Sequence, residues 1–143
     1  MASRLNPYIN FDGDARQAME FYENVFGGTL KLNTYGAFGQ PDAPHADKIM
    51  HGMLETPSGF TLMGADTPST MEFSPGTNYS VSLSGDDDAE LRGYWEKLIE
   101  GGTTLEPLVQ APWGDSFGMC TDKFGVKWLV NISGASQEGQ QAP

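Results

Sequence analysis

The chain has a single cysteine, Cys120, in 143 residues. A disulfide framework needs pairs, so no intrachain bridge holds this fold. Cys120 falls in a segment that reads as a strand, where a small buried hydrophobe is expected rather than a reactive thiol. Positive charge is also scarce. Eight Lys and Arg stand against 19 Asp and Glu, for a formal net charge of −11 and a pI near 4.3. Nothing supplies a basic face for a phosphate backbone, which excludes nucleic acid as a partner. An apolar run of about 18 residues is missing, as is an apolar stretch behind a basic start. The expectation is a cytoplasmic chain with no membrane partner.

What is present suits a packed globule: 38% hydrophobic residues, 11% of the chain aromatic. By length this is one compact domain, or two small modules sharing one core. A repeat favours duplication. Residues 14–28 and 87–102 each read as an amphipathic helix closing on Gly-Gly. The apolar stripe is 15, 18, 19, 22, 25 and 26 in the first, and 91, 94, 95, 98 and 99 in the second. Each opens on an acid with a capping-box partner three residues on, Asp14 with Gln17 and Asp87 with Glu90. The two copies lie 73 residues apart, about half the chain.

Strands flank each helix. Leu5 to Phe11 alternates, with Ile9 and Phe11 on one face and Tyr8 and Asn10 on the other. Thr29–Tyr35, Lys48–Glu55 and Phe60–Ala65 read as three more strands, with a Gly/Pro loop over 36–47 and a turn at Thr56–Gly59. In the second half, Tyr79, Val81 and Leu83 alternate with Ser80, Ser82 and Ser84. Thr104–Gln110 follows the helix and contains Pro107, which marks an edge or a bulge. Ser116–Thr121 and Val126–Ile132 complete the set. The expected organisation is α+β: a first βαβββ module over 1–66, a linker over 67–76, a second module over 77–133 and a disordered tail over 134–143. The helices bury their stripes on one sheet face, and the two half-sheets together cup a cleft.

A duplicated βαβββ module whose first helix ends in Phe21-Tyr22-Glu23-Asn24-Val25-Phe26-Gly27 resembles the vicinal oxygen chelate superfamily of glyoxalase I, extradiol dioxygenases, and bleomycin- and fosfomycin-resistance proteins. Pro7-Tyr8, Phe11-Asp12-Gly13, Trp113-Gly114-Asp115 and Asp122-Lys123-Phe124-Gly125 before Trp128 are similar to its PhnB-like branch. The resemblance spans residues 4 to 133 and implies the glyoxalase/bleomycin-resistance fold, a small-molecule ligand and a homodimer in which each cleft is completed by the partner's module. Some members of the branch carry a name suggesting a methyltransferase. A Gly-rich loop after the first strand, which would bind a methyl donor, is absent here.

In metal-dependent relatives, His, Gln or Glu side chains from the first and last strands of each module hold a divalent ion. Strand parity puts the matching positions here at Tyr8, Met63, Ser80 and Leu129, none of them a His or a carboxylate. Hard and borderline divalent ions need such donors, so no metal and no cofactor is expected. The expected ligand-binding face is Tyr8, Asn10, His51, Met53, Met63, Ser80, Ser82, Trp113 and Leu129. The acidic chain favours a cationic or neutral ligand. Candidate catalytic residues are His51, Glu55 and Asp115. His51 and Glu55 share a strand face but lie roughly 13 Å apart at ~3.3 Å per residue, too far for one ion. Asp115 has two readings: an acceptor for a substrate hydroxyl or amine, or the cap of a turn. His45, in the Gly/Pro loop, is expected in solvent. The alternative function is a glyoxalase-like lyase or isomerase, or a dioxygenase-like enzyme, with a displaced or non-metal site. A third reading is an interaction module that swaps halves between subunits.

Overall fold

A computed structural model describes residues 3–134. The expected disordered tail lies, but for Gly134, outside the described residues. The chain divides at Gly76 and Thr77 into two compact units. The segment 67–76, expected as a linker, counts with the first unit. Thr67 N–H donates to Phe11 O at 2.8 Å, which ties it there.

The first unit contains β1 (Tyr8–Phe11), α1 (Ala15–Phe26), β2 (Thr29–Thr34), β3 (Ile49–Glu55) and β4 (Thr61–Asp66). Its sheet runs β1-β4-β3-β2, with β1 parallel to β4 and the other pairs antiparallel. The second unit repeats the order with β5 (Val81–Gly85), α2 (Asp88–Leu98), β6 (Thr103–Gln110), β7 (Ser116–Thr121) and β8 (Lys127–Ile132), in a β5-β8-β7-β6 sheet. The βαβββ duplication expected from the repeated helix is therefore present, with two α-helices and two mixed four-stranded sheets among the described residues.

Each core forms between a helix stripe and one sheet face. Ala15, Ala18, Met19, Tyr22, Val25 and Phe26 are buried, as the periodicity requires, together with Phe21. In the second unit Leu91, Tyr94, Trp95 and Leu98 are buried against Leu83, Cys120, Trp128 and Val130. Glycines admit the helices. A Cβ on Gly64 would stand 3.0 Å from Met19 Sδ, and one on Gly118 would stand 2.9 Å from Trp95 Cη2. The Gly-Gly pairs have two duties. Gly27 and Gly101 take positive φ of 74° and 73°. Gly28, itself at a φ of 104°, and Gly102 also let the outer strand start hard against the carbonyls of Glu55 and Thr121, where any side chain would collide.

The capping expectation is right for one helix and wrong for the other. Asp87 accepts from Glu90 N–H at 3.1 Å. Asp14 makes no side-chain cap bond. The carboxylate at the start of α1 comes from the end of β4. Asp66 Oδ1 accepts from Gly13 and Ala15 N–H at 2.8 and 2.9 Å, and Oδ2 accepts from Ile49 N–H at 2.9 Å. With Asp66 only 2% exposed, this acid bolts the β1–α1 turn, the start of the helix and the start of β3 to the end of β4.

Further expectations shift. β1 begins at Tyr8, and Leu5 is fully exposed. His45 is buried at 6% exposure rather than solvated, because Tyr35 packs edge-on to it and both ring nitrogens are hydrogen-bonded. Pro107 sits in β6, an edge strand with register breaks around Glu106, where a missing N–H does little harm.

Candidate functional site

Each sheet has one face under its helix and one without. In the first unit the helix-free face follows from register. Tyr8 pairs with Met63, Met63 with Met53, and Met53 with Lys31, so these four side chains form one row across all four strands. His51 lies one step along β3 and pairs with Asn33. The Tyr8 and His51 rings are 5.8 Å apart at 30°. A register shift between Asn33 and Thr34 bends β2 beside His51. Tyr8 is 48% exposed, while His51, Met53 and Met63 are half-buried. Asn10, also on this face, is exposed and pairs with Ala65.

The structure thus brings Tyr8, His51, Met53 and Met63 into one neighbourhood. The result is an aromatic ring, an imidazole and two polarizable thioethers, with Lys31 and Asn33 as polar ends. Desolvation pushes the Tyr8 hydroxyl above its ordinary pKa. Tyr35 is raised as well, by desolvation first and then by the charges of Tyr8 and Asp66. Glu55 ends β3, is exposed, and pairs with Thr29 and Thr61, with Met53 between it and His51.

In the second unit the corresponding row is Ser82, Leu129, Met119 and Glu106. This corrects the repeat register. Ile9 pairs with Gly64, and Leu83 pairs with Val130. Gly64 and Val130 lie 66 residues apart and Ile9 and Leu83 lie 74 apart, not the 72 expected from the motif. Ser82, not Ser80, therefore stands where Tyr8 stands, and Ser80 precedes the strand. The error is two residues, so parity and the assigned face survive. The four equivalent positions carry a phenol, a thioether, a hydroxyl and an isobutyl group: Tyr8, Met63, Ser82 and Leu129.

Asp115 and Trp113 lie elsewhere in that unit. Asp115 is 1% exposed; Oδ2 accepts from Asn131 Nδ2 at 3.0 Å and Oδ1 from Gly134 N–H at 2.9 Å. It ties the start of β7 to the end of β8, as Asp66 ties β4 to β3. Both bonds are structural, but they run to Asn131 and Gly134 rather than to the turn at 111–115. Trp113 is 40% exposed and packs edge-on to Phe117 at 6.0 Å. Sequence reasoning missed Asn33 and Lys31, which strand parity applied to β2 would have found; parity does place Asn131 on the helix-free side of β8, and its Oδ1 is buried with no hydrogen-bond partner among the described residues.

Among the described residues, no group of three or more His, Cys, Asp or Glu is arranged to hold a metal ion. No helix there is long and apolar enough to cross a membrane.

A family model described as the Glyoxalase/Bleomycin resistance protein/Dioxygenase superfamily matches residues 4–130. Among solved structures, protein PA1353 from Pseudomonas aeruginosa is similar at 37% identity and a TM-score of 0.83, over 93% of this chain and 99% of that one. The PhnB protein from Bacillus cereus is similar in fold, with 24% identity and a TM-score of 0.72 over 92% of this chain and all of that one. Protein YjdN of Escherichia coli (strain K12) is 22% identical over 138 residues, 90% of this chain and 94% of that protein.

Proposed function

This chain belongs to the glyoxalase/bleomycin resistance protein/dioxygenase superfamily, and from that premise we propose that it is a PhnB-like small-molecule-binding protein without the four-ligand metal site of its metal-dependent relatives. The observation that carries the reading is the row Tyr8–Met63–Met53 with His51 beside it. A divalent ion does not fit the donor set at the equivalent positions, since Tyr8, Met63, Ser82 and Leu129 offer no imidazole and no carboxylate. No chemical step is routed through a metal here. Instead the face offers what a flat, partly apolar ligand needs: a ring to stack on, thioethers that adapt to its outline, and one imidazole to fix its orientation. The net charge of −11 favours a cationic or neutral ligand over an anionic one.

Methionine-methyl NMR of the whole protein in EDTA tests this with a panel of cationic and neutral aromatic compounds. Binding compounds shift the Met53 and Met63 methyls together. Tyr8→Ala and His51→Ala each weaken binding by about tenfold, the loss of one anchoring contact of about 1.4 kcal/mol. A compound that binds while leaving both methyls unmoved refutes the assigned face. A homodimer belongs to the same reading: light scattering should give twice the 15.5 kDa chain mass, and a monomer would remove it.

A further inference from the structure

His45 is the one imidazole the proposed ligand face does not use, and its surroundings are organised. Ser69 Oγ lies 2.7 Å from His45 Nδ1, and Gln40 Oε1 lies 2.9 Å from His45 Nε2. The tautomer follows from a third contact. Ser69 backbone N–H points at Nδ1 at 3.3 Å, and an N–H can only donate. Nδ1 therefore carries a lone pair, the proton sits on Nε2, and Gln40 Oε1 accepts it. A lone pair at Nδ1 is the group that takes a hydroxyl proton. The hydroxyl, at the shorter distance, is its principal partner.

Gln40 and His45 come from one loop, five residues apart, and Ser69 from the turn after β4. His45 is fixed by Tyr35, edge-on at 4.7 Å and 82°, and Tyr35 is itself pinned by its hydroxyl donating to Asp66 O at 2.7 Å. Gly36 N–H to Ala46 O and Lys48 N–H to His45 O close the loop around the ring. Ser69 sits at the tip of a turn closed by Met71 N–H to Pro68 O at 2.9 Å. The histidine is buried and the serine exposed. A rigid buried base thus faces a hydroxyl that solvent and small molecules can reach.

We propose that Ser69, His45 and Gln40 form a second site, a nucleophilic serine for small acyl esters, unrelated to the Tyr8–His51 face. The arrangement has the roles of a nucleophile–base–orienter triad, with an amide as the third member. Ser69 Oγ attacks the ester carbonyl carbon as its proton passes to His45 Nδ1. The tetrahedral adduct collapses, the C–O bond to the alcohol breaks, and Nδ1 returns the proton to the leaving oxygen. Water then attacks the acyl-serine, gives its proton to Nδ1, and Ser69 leaves with that proton as the acid is released. Ser69 and His45 are the catalytic residues. Gln40 is a positioning residue that holds the Nε2–H tautomer.

The test uses the full chain with a fluorophosphonate reporter, whose phosphorus takes Ser69 Oγ as fluoride leaves, and with p-nitrophenyl acetate as ester. The expected result is one adduct, mapped by peptide mass spectrometry to Ser69. Ser69→Ala abolishes it and lowers ester turnover at least about tenfold, within the range general-base activation supplies. His45→Gln lowers labelling of Ser69 by a similar factor. Since Ser69 is an exposed turn residue, its alanine variant folds, and circular dichroism of each variant checks this. Gln40→Ala lowers kcat while KM stays unchanged, an effect that simple loss of loop order would not separate. Labelling spread evenly over exposed serines, or labelling and turnover untouched by Ser69→Ala, overturns the proposal. The Tyr8–His51 reading is unaffected either way, because its readout is the Met53 and Met63 methyls.

Discussion

Replacing Asp66 should cost far more than replacing Asp14, although the sequence around α1 points to Asp14 as its cap. Asp66 is 2% exposed and its carboxylate accepts three backbone N–H groups, from Gly13, Ala15 and Ile49. Hydrogen bonds to a charged group contribute about 1.5–3 kcal/mol each, and a buried donor left without a partner costs about 1–3 kcal/mol. The three are coupled, so they do not add in full. Asp66→Ala is expected to lose about 3–5 kcal/mol, a large part of the 5–15 kcal/mol typical of a whole domain. Asp66→Asn is the gentler probe. Its oxygen can face Gly13 and Ala15, but its NH2 then meets the Ile49 N–H donor to donor, for a loss of about 2–3 kcal/mol. Asp14→Ala, which removes no cap bond, should cost under about 0.5 kcal/mol. Urea unfolding followed by far-ultraviolet circular dichroism measures all three. If Asp14→Ala proves as costly as Asp66→Asn, the assignment of the cap to β4 is wrong.

Gly118→Ala places a methyl 2.9 Å from Trp95 Cη2 and from Leu108 Cα, where backbone cannot yield, and should lower stability by about 1–3 kcal/mol with a shift in tryptophan fluorescence. Cys120 is fully buried, and burial, with Asp122 adding to it, pushes its thiol up to about 11 from an ordinary value near 9. Native protein should therefore resist Ellman's reagent at pH 8 and react in denaturant. The same shift sets an alkaline limit. The folded thiol keeps its proton where the unfolded one loses it, so this contribution is whole below about pH 9 and is lost towards pH 11, worth about 2 kcal/mol in denaturant titrations across that window. Trp128→Phe removes the Nε1–H that donates to buried Asp122 Oδ2 at 2.9 Å, and should cost about 1–3 kcal/mol by thermal unfolding.

The element order was legible because its signals are local: alternation in strands, 3.6-residue stripes in helices, and turn residues between them. The helix-free face of the first unit was legible for the same reason, since parity assigns Tyr8, Met53 and Met63 without tertiary information. The capping carboxylate was not. Asp66 lies 51 residues from Ala15, and nothing near Asp66 in sequence says which N–H groups it will meet. Asp14 has the right residue type in the right place, yet a better-placed acid from β4 displaces it. The two-residue slip at Ser80 escaped because an even slip leaves every face unchanged. His45 misled for the opposite reason. A histidine among Gly, Pro and Asp reads as solvated, and only the folded loop shows Tyr35, Ser69 and Gln40 closing around it. Asp115 shows the same limit: the Trp-Gly-Asp turn leaves an acceptor and a turn cap both open, and its long-range partners Asn131 and Gly134 appear only in the fold.

The proposed ligand binding on the Tyr8–His51 face calls for no divalent ion there. Elemental analysis by plasma mass spectrometry, after dialysis of the purified protein against Mn, Fe, Co, Ni and Zn and then metal-free buffer, tests it most directly. Retention of under about one ion per ten chains is predicted, since a site short of imidazole and carboxylate donors releases such ions. One ion per chain, lost in His51→Ala, would contradict it.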